Sequence, residues 1–142
     1  MTDTASAAAV DAREVALAYV AAVNEGRVDR LDDLVHPDVV DHHLPPELPP
    51  GVEGLRRWAT VLHEALRLRV DVRDVAVDGD LVAVRARITG THVGEFAGMP
   101  ATGRSFDAQY MSFERVRDGR IAERWEVADT ATVTAQLTGP AA

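Results

Sequence analysis

The sequence predicts an α+β domain in which N-terminal helices pack on a curved antiparallel sheet. Apolar residues recur at helical spacing in the first half of the chain, and their period changes to two from Arg69 onward. The dipeptide Asp118-Gly119 lies between two strand-like segments and indicates a two-residue hairpin turn. Helices first and strands last are typical of an α+β domain. A curved sheet folded over helices would leave a pocket between the two layers.

Each element follows from a local pattern. Helical spacing predicts three helices, over residues 11–24, 28–35 and 52–66. Gly26 ends the first, His36-Pro37 ends the second, and a proline-rich loop at 45–50 precedes the third. Extended segments are expected at 39–44, 70–77 and 81–93, then a Gly/Pro loop at 94–103 and the two strands of the hairpin. Residues 132–137 form either a terminal strand or a helical turn.

The length of 142 residues suits one domain, and a hydrophobic content of 46% can fill its core. We expect the domain to span residues 11–138, after a disordered lead-in at 1–10 and before a short tail at 139–142. The lead-in lacks the basic and apolar regions of a signal peptide, and no apolar run reaches membrane-span length. The expected location is therefore the cytoplasm, with no membrane partner.

Charge and residue usage exclude several classes of chemistry. The formal net charge is −8, which makes nucleic acid an unsuitable partner. The chain has no cysteine, which excludes disulfides, thiolate catalysis and cysteine metal sites. All 15 cationic side chains are arginine, so a lysine Schiff base is excluded as well.

Asp129 is the first candidate for catalysis. If Arg117 pairs with Arg120 across the turn, Asp129 shares one wall of the sheet with the alternate residues of both strands, since directly opposed residues share a face. That wall would consist of Phe106, Ala108, Tyr110, Ser112, Trp125 and Val127. A carboxylate at the end of an apolar stripe is partly desolvated, which raises its pKa and suits proton transfer. A bulge would reverse the faces of one strand.

Several segments resemble the SnoaL-like polyketide cyclases, over roughly positions 12–138. The most specific is the loop 90–104, which reads GTHVGEFAGMPATGR. The hairpin Arg117-Asp118-Gly119-Arg120-Ile121, followed by Trp125 and Asp129, is similar to the family too. So are the helix end Tyr19…Asn24-Glu25-Gly26 and the segment Asp41-His42-His43.

The resemblance implies a cone-shaped α+β barrel of the nuclear-transport-factor, cystatin-like type. It also implies an intramolecular aldol condensation of a hydrophobic polyketide ester, without metal or cofactor. In that chemistry Asp129 would remove an acidic α-proton, and the carbanion would close on a carbonyl. One departure stands out: where better-understood cyclases carry Gln-x-His, this chain reads Tyr110-Met111-Ser112.

Further side chains are candidates for the site. His92 would polarise a substrate carbonyl, or else serve as a structural histidine bonded to backbone. His42 is expected to line the pocket; a metal is not expected, because neighbouring residues on a strand point in opposite directions. The aromatic candidates for substrate binding, which would favour a flat apolar ligand or serve as packing, are Trp58, Phe96, Phe106, Tyr110 and Trp125.

The opposite face of the predicted sheet mixes apolar and charged residues. Met111, Phe113 and Ala122 would lie there beside Arg124 and Glu126. This mixture suits a sheet-to-sheet homodimer interface, and cover by a terminal segment is the alternative. Two other functions also remain open. One is another enzyme of the same fold, namely a hydroxylase, an isomerase or an epoxide hydrolase, and the other is a non-catalytic ligand-binding accessory protein.

Overall fold

The computed structural model describes residues 2–139, and the side chains of residues 12–139. Within residues 2–139, four α-helices and five strands follow one another, with a 3₁₀ turn at Val28–Arg30. In chain order the elements are α1 (Thr2–Asn24), α2 (Leu31–Leu34), β1 (Val35–Asp41), α3 (Gly51–Leu66), β2 (Arg69–Asp78), β3 (Leu81–Thr91), β4 (Ser105–Arg117), β5 (Arg120–Ala128) and α4 (Thr130–Thr138). Helices therefore pack on a curved five-stranded sheet, as the sequence predicted.

The strand order is β1-β5-β4-β3-β2, and the sheet is mixed, not antiparallel throughout. The strands from β2 to β5 form an antiparallel meander, whereas β1 pairs with β5 in parallel. Parallel neighbours need a long connection between them. Here α3 and three strands intervene, so β1 can join the edge beside β5. This pairing sets Asp41 opposite Arg124.

The helical layer follows the predicted amphipathic patterns. Helix α1 buries Ala12, Ala16, Tyr19 and Ala22. Helix α3 also buries residues at helical spacing and ends at Leu66. The next residue, Arg67, has a left-handed φ of 49° and its N–H donates to the His63 carbonyl. No helix in residues 2–139 is long and apolar enough to cross a membrane.

One terminal segment differs from expectation, and at the other the structure decides between two alternatives. Helix α1 begins at Thr2, inside the segment 1–10 that was expected to be disordered. Alanine is the strongest helix former, and this segment is rich in it. At the other end, residues 132–137 belong to helix α4, so the helical alternative is the right one. Met1 and residues 140–142 lie outside the described residues.

The hairpin register changes partway along the two strands. Arg117 pairs with Arg120 as predicted, and Val116 pairs with Ile121. Arg115 then pairs with Glu123, so a β-bulge leaves Ala122 without an opposing residue. From this point β5 presents the opposite set of side chains to the interior, because a slip of one residue exchanges the two faces of a strand.

Candidate active site

A largely apolar cavity of about 150 Å³ lies between the helices and the concave face of the sheet. Its apolar walls come from α1, α3, α4 and the inner faces of β2 to β5. They include Val20, Val23, Leu55, Trp58, Ala59, Leu62, Leu66, Leu68, Val70, Ile88, Phe96, Phe106, Ala128 and Val133. The other lining residues are polar or charged, namely Tyr19, His43, Tyr110, Ser112, Glu114, Arg124, Glu126 and Thr130.

Arg124 organises the polar residues of the cavity. Its side chain is 4% exposed, and its Nη1 donates to Asp41 Oδ2 at 2.7 Å. Its Nη2 lies 3.1 Å from the Tyr110 hydroxyl and 3.6 Å from Glu126 Oε2. The guanidinium also sits 4.6 Å from the centre of the Tyr19 ring, in cation–π contact. One buried cation therefore joins residues from three strands and a helix.

Two hydrogen-bonded polar pairs next to this guanidinium line the cavity. The Tyr110 hydroxyl donates to Glu126 Oε2 at 2.6 Å. The Ser112 hydroxyl donates to Glu114 Oε1 at 2.9 Å, and Arg124 Nη2 is 3.5 Å from the same oxygen. Burial raises the pKa of Tyr110 well above its usual value, so its hydroxyl keeps its proton and remains a donor.

The charges of this cluster do not balance if every acid is ionised. Three carboxyl groups, those of Asp41, Glu114 and Glu126, surround a single guanidinium. Burial raises the pKa of Glu114, and Arg124 only partly counters that effect. A carboxyl held protonated beside an ionised one is the usual basis for acid and base roles within one site. Burial therefore favours the protonated form of Glu114 within this cluster.

The comparison with protein families decides the identity of the chain. The family model described as SnoaL-like polyketide cyclase matches residues 13–137. The chain belongs to this family.

Curated members of the SnoaL-like family resemble the chain over most of its length. Aklanonic acid methyl ester cyclase DnrD of Streptomyces peucetius is 30% identical over 128 residues, which is 85% of this chain and 86% of that protein. Nogalonic acid methyl ester cyclase of Streptomyces nogalater is 32% identical over 130 residues, covering 85% and 92% respectively. These relatives are enzymes, and the chain is an enzyme of the same cyclase-like type.

Solved structures give the same fold. TsrD from Streptomyces laurentii superposes with a TM-score of 0.83 at 27% identity, covering 92% of this chain and 97% of that one. IdmH from Streptomyces antibioticus superposes with a TM-score of 0.76 at 36% identity, covering 89% and 97%. The cone-shaped α+β fold expected from the sequence is thereby confirmed.

Four of the predicted site residues do line the cavity. Trp58, Phe96, Phe106 and Tyr110 all face it. The Trp58 and Phe96 rings lie 5.9 Å apart in a tilted arrangement, so helix α3 and the β3–β4 loop meet over the cavity. Contact of these side chains with substrate stays a prediction.

Asp129 does not lie where the sequence predicted. Its side chain is exposed and caps helix α4, accepting from the Thr132 N–H at 3.1 Å and the Thr132 hydroxyl at 2.6 Å. These hydrogen bonds lower its pKa, where desolvation was expected to raise it. The predicted position and pKa shift are wrong because the bulge at Ala122 exchanges the faces of β5. Its catalytic role stays a prediction.

His92 is fully buried but is not among the cavity-lining residues. The Thr102 N–H donates to its Nδ1 at 3.3 Å, and the Thr102 hydroxyl lies 3.0 Å from the same atom. Its backbone also exchanges hydrogen bonds with Gly103 and Arg104. The structural alternative for this histidine therefore fits its position, which is the base of the loop that carries Phe96.

The predicted pocket positions of His42 and Trp125 are also wrong. Trp125 pairs with Phe113 on the outer face. The exposed His42 ring stacks on the Trp125 ring, with ring centres 5.2 Å apart, and its Nε2 lies 2.7 Å from Glu123 Oε2. The neighbouring His43 lines the cavity instead. No group of three or more His, Asp or Glu side chains among the described residues is arranged to hold a metal ion.

The sequence interpretation missed Arg124, Glu126, Glu114 and Asp41 as site residues. It assigned Arg124 and Glu126 to the outer face, because it assumed an unbroken ladder from the turn. One signal was present in the sequence. Arg124, Glu126 and Ala128 alternate on one face of their strand, and the polar residues Ser112 and Glu114 alternate in the same way on the partner strand.

Proposed function

We propose that the protein closes a ring in a polyketide ester by an intramolecular aldol reaction, with Glu126 as the base and no cofactor. The observation that carries the proposal is the place of the Glu126 carboxylate. It lies in an apolar cavity, held by the Tyr110 hydroxyl at 2.6 Å and beside Arg124 Nη2 at 3.6 Å. A carboxylate in a largely dry site is a stronger base toward a carbon acid than one in water.

The reaction is an isomerisation. Glu126 takes a proton from the carbon between two carbonyl groups, and the resulting enolate attacks a carbonyl carbon of the same molecule. The new alkoxide then takes up a proton, so no atom is gained or lost. The apolar walls, with Trp58, Phe96 and Phe106, hold the reacting carbons close together, which removes much of the entropic cost of ring closure.

The charge of the site favours an ester over a free acid. Three carboxyl groups share one guanidinium, and all of them are largely shielded from water. A substrate carboxylate would be desolvated and repelled there, whereas a methyl ester carries no charge. The named relatives are methyl ester cyclases, which agrees with this preference. Pockets for drug-sized ligands hold ~300–1,000 Å³. A polycyclic substrate would therefore require the cavity of about 150 Å³ to widen.

The test is incubation with aklanonic or nogalonic acid methyl ester, followed by chromatography and NMR. We expect a product of unchanged mass with one more ring, and slower conversion of the free acid. Glu126→Gln should lower kcat by about 10²- to 10⁴-fold, the usual contribution of a general base. Glu123→Gln is the matched control, because Glu123 lies on the same strand and contacts the exposed His42. Wild-type turnover by Glu126→Gln would refute Glu126 as the base.

Asp129 is the second candidate for the base, from the resemblance to the family. To act, it would have to leave its two hydrogen bonds to Thr132 at the start of α4. Asp129→Asn tests this role without loss of the cap, since asparagine caps helices as well as aspartate does. A large fall in turnover of this variant would support Asp129.

Other outcomes of the incubation would support the other functions that the sequence left open. Conversion to a product with a changed mass would indicate a hydroxylase or an epoxide hydrolase. An isomer without a new ring would indicate an isomerase. Tight binding with no conversion would indicate an accessory protein.

We further propose that the outer sheet face forms a homodimer, in a protein that acts in the cytoplasm. Met111, Phe113 and Val127 are exposed there by 52%, 48% and 73%, and Trp125 lies beside them. Exposed apolar side chains grouped on one sheet face are typical of an interface. Val127→Glu should convert a dimer into a monomer in sedimentation, whereas Val93→Glu, in the loop after β3 and 46% exposed, should not. A monomeric wild type would contradict the proposal.

A further inference from the structure

We propose that Glu114 is the acid of the site, which donates a proton from Oε2 to the carbonyl oxygen attacked during ring closure. This inference rests on the aldol reaction proposed above. Glu114 lies on β4 and Glu126 on β5. Glu126 would accept one proton and Glu114 would donate the other.

The geometry leaves one oxygen of Glu114 free for a ligand. The side chain is 3% exposed and lines the cavity. Its Oε1 accepts from the Ser112 hydroxyl at 2.9 Å and lies 3.5 Å from Arg124 Nη2. Its Oε2 is buried and has no hydrogen-bond partner among residues 12–139. A buried polar atom without a partner is costly unless a ligand or water satisfies it.

The surroundings favour the protonated acid. The charged and titratable groups close to Glu114 are Arg124 and Glu126 on β5, Tyr110 on β4 and Tyr19 on α1. Only Arg124 carries positive charge, and it is already paired with Asp41. Burial raises the pKa of Glu114. Since Oε1 faces two donors, the proton resides on Oε2, which has none.

The two proton transfers balance. Glu126 receives the proton of the α-carbon, and the electron pair left on that carbon forms the new C–C bond. The π pair of the attacked carbonyl moves to its oxygen, which takes the proton from Glu114 Oε2. Arg124 then stabilises the Glu114 carboxylate. Return of one proton from Glu126 to Glu114, by exchange with solvent after product release, restores the site without any co-reactant.

The first test is the activity of Glu114→Gln. Glutamine keeps the shape of the acid and can donate a hydrogen bond, but it cannot transfer a proton. We expect kcat to fall by about 10²-fold or more with little change in KM, because the apolar walls are untouched. The wild type should lose kcat at high pH as Glu114 ionises, and this alkaline limb should be absent in the variant. Glu123→Gln should behave as the wild type.

The second test does not depend on activity. Infrared spectra of the wild type at neutral pH should show a carboxylic acid C=O band that is absent in Glu114→Gln and retained in Glu126→Gln. No such band in the wild type, or wild-type turnover and pH profile in Glu114→Gln, would overturn the assignment. If ring closure is not observed at all while the band behaves as expected, the proposed reaction is wrong and the protonation of Glu114 stands.

Discussion

Replacing Arg124 by methionine should destabilise the protein severely. Methionine fills much of the same space but removes the single cation from a buried cluster that holds Asp41, Glu114 and Glu126. The Asp41 side chain is 2% exposed and loses its partner at 2.7 Å. The variant therefore leaves carboxylates buried without compensation.

The size of the stability loss follows from the burial of the Arg124–Asp41 ion pair. Removing one partner of a buried ion pair costs about 3–5 kcal/mol, because the other charge is left desolvated. The cation–π contact with Tyr19 adds to the loss. A domain of this size has a free energy of unfolding of about 5–15 kcal/mol, so the variant should be marginally stable. Arg124→Lys keeps the charge but lacks the planar fork, and its loss should be smaller.

The loss of stability caused by Arg124→Met should become smaller as the pH falls. In the variant the buried carboxyl groups lack a cation, so they bind protons more readily in the folded state than in the unfolded state. A folded state that binds more protons than the unfolded state gains stability on acidification. Urea unfolding followed by circular dichroism, at about pH 5 and about pH 8, measures both effects. A loss of less than about 1 kcal/mol at both values of pH would refute the view that Arg124 compensates buried charge.

Three further variants test the packing and the protonation of the cavity walls. Gly90→Ala places a Cβ against the Leu66 carbonyl oxygen and 2.7 Å from Phe106 ring atoms. It should lower the free energy of unfolding by about 1–3 kcal/mol. Gly94→Ala, whose Cβ would lie 3.2 Å from Ala65 Cα, should lose less in the same urea titration. Glu114→Gln should gain stability relative to the wild type as the pH rises above the usual pKa of a glutamate, about 4.3. The raised pKa of Glu114 makes the folded wild type bind more protons than the unfolded chain, and that stabilisation is lost as the acid ionises. Parallel unfolding curves at all pH values would contradict the raised pKa.

Much of the fold was accessible from local patterns. The helical spacing of α3 and the turn at Asp118-Gly119 each depend on residues close in sequence, and both were placed correctly. The parallel pairing of β1 with β5 was not predicted, because it joins segments separated by most of the chain. No local pattern fixes such a long-range pairing.

The site was harder to predict because one residue decides it. The bulge at Ala122 turns Arg124 and Glu126 inward and leaves Trp125 outside. The bulge has no distinctive sequence here, yet it reverses which side chains of β5 face the cavity. The aromatic residues on α3 and β4 escaped this error because the extra residue lies in β5 and does not change which side chains of β4 face the cavity. Asp129 follows it and was misplaced.

The most direct test of Glu126 as the catalytic base is the turnover of Glu126→Gln and Asp129→Asn, measured side by side on the same polyketide methyl ester. Both variants replace a carboxylate by an amide of nearly the same shape. Glu126 lines the cavity, whereas the side chain of Asp129 is exposed at the start of α4. We predict that Glu126→Gln loses about 10²- to 10⁴-fold in kcat, while Asp129→Asn stays close to the wild type. The reverse order of the two losses would contradict the assignment of the base to Glu126.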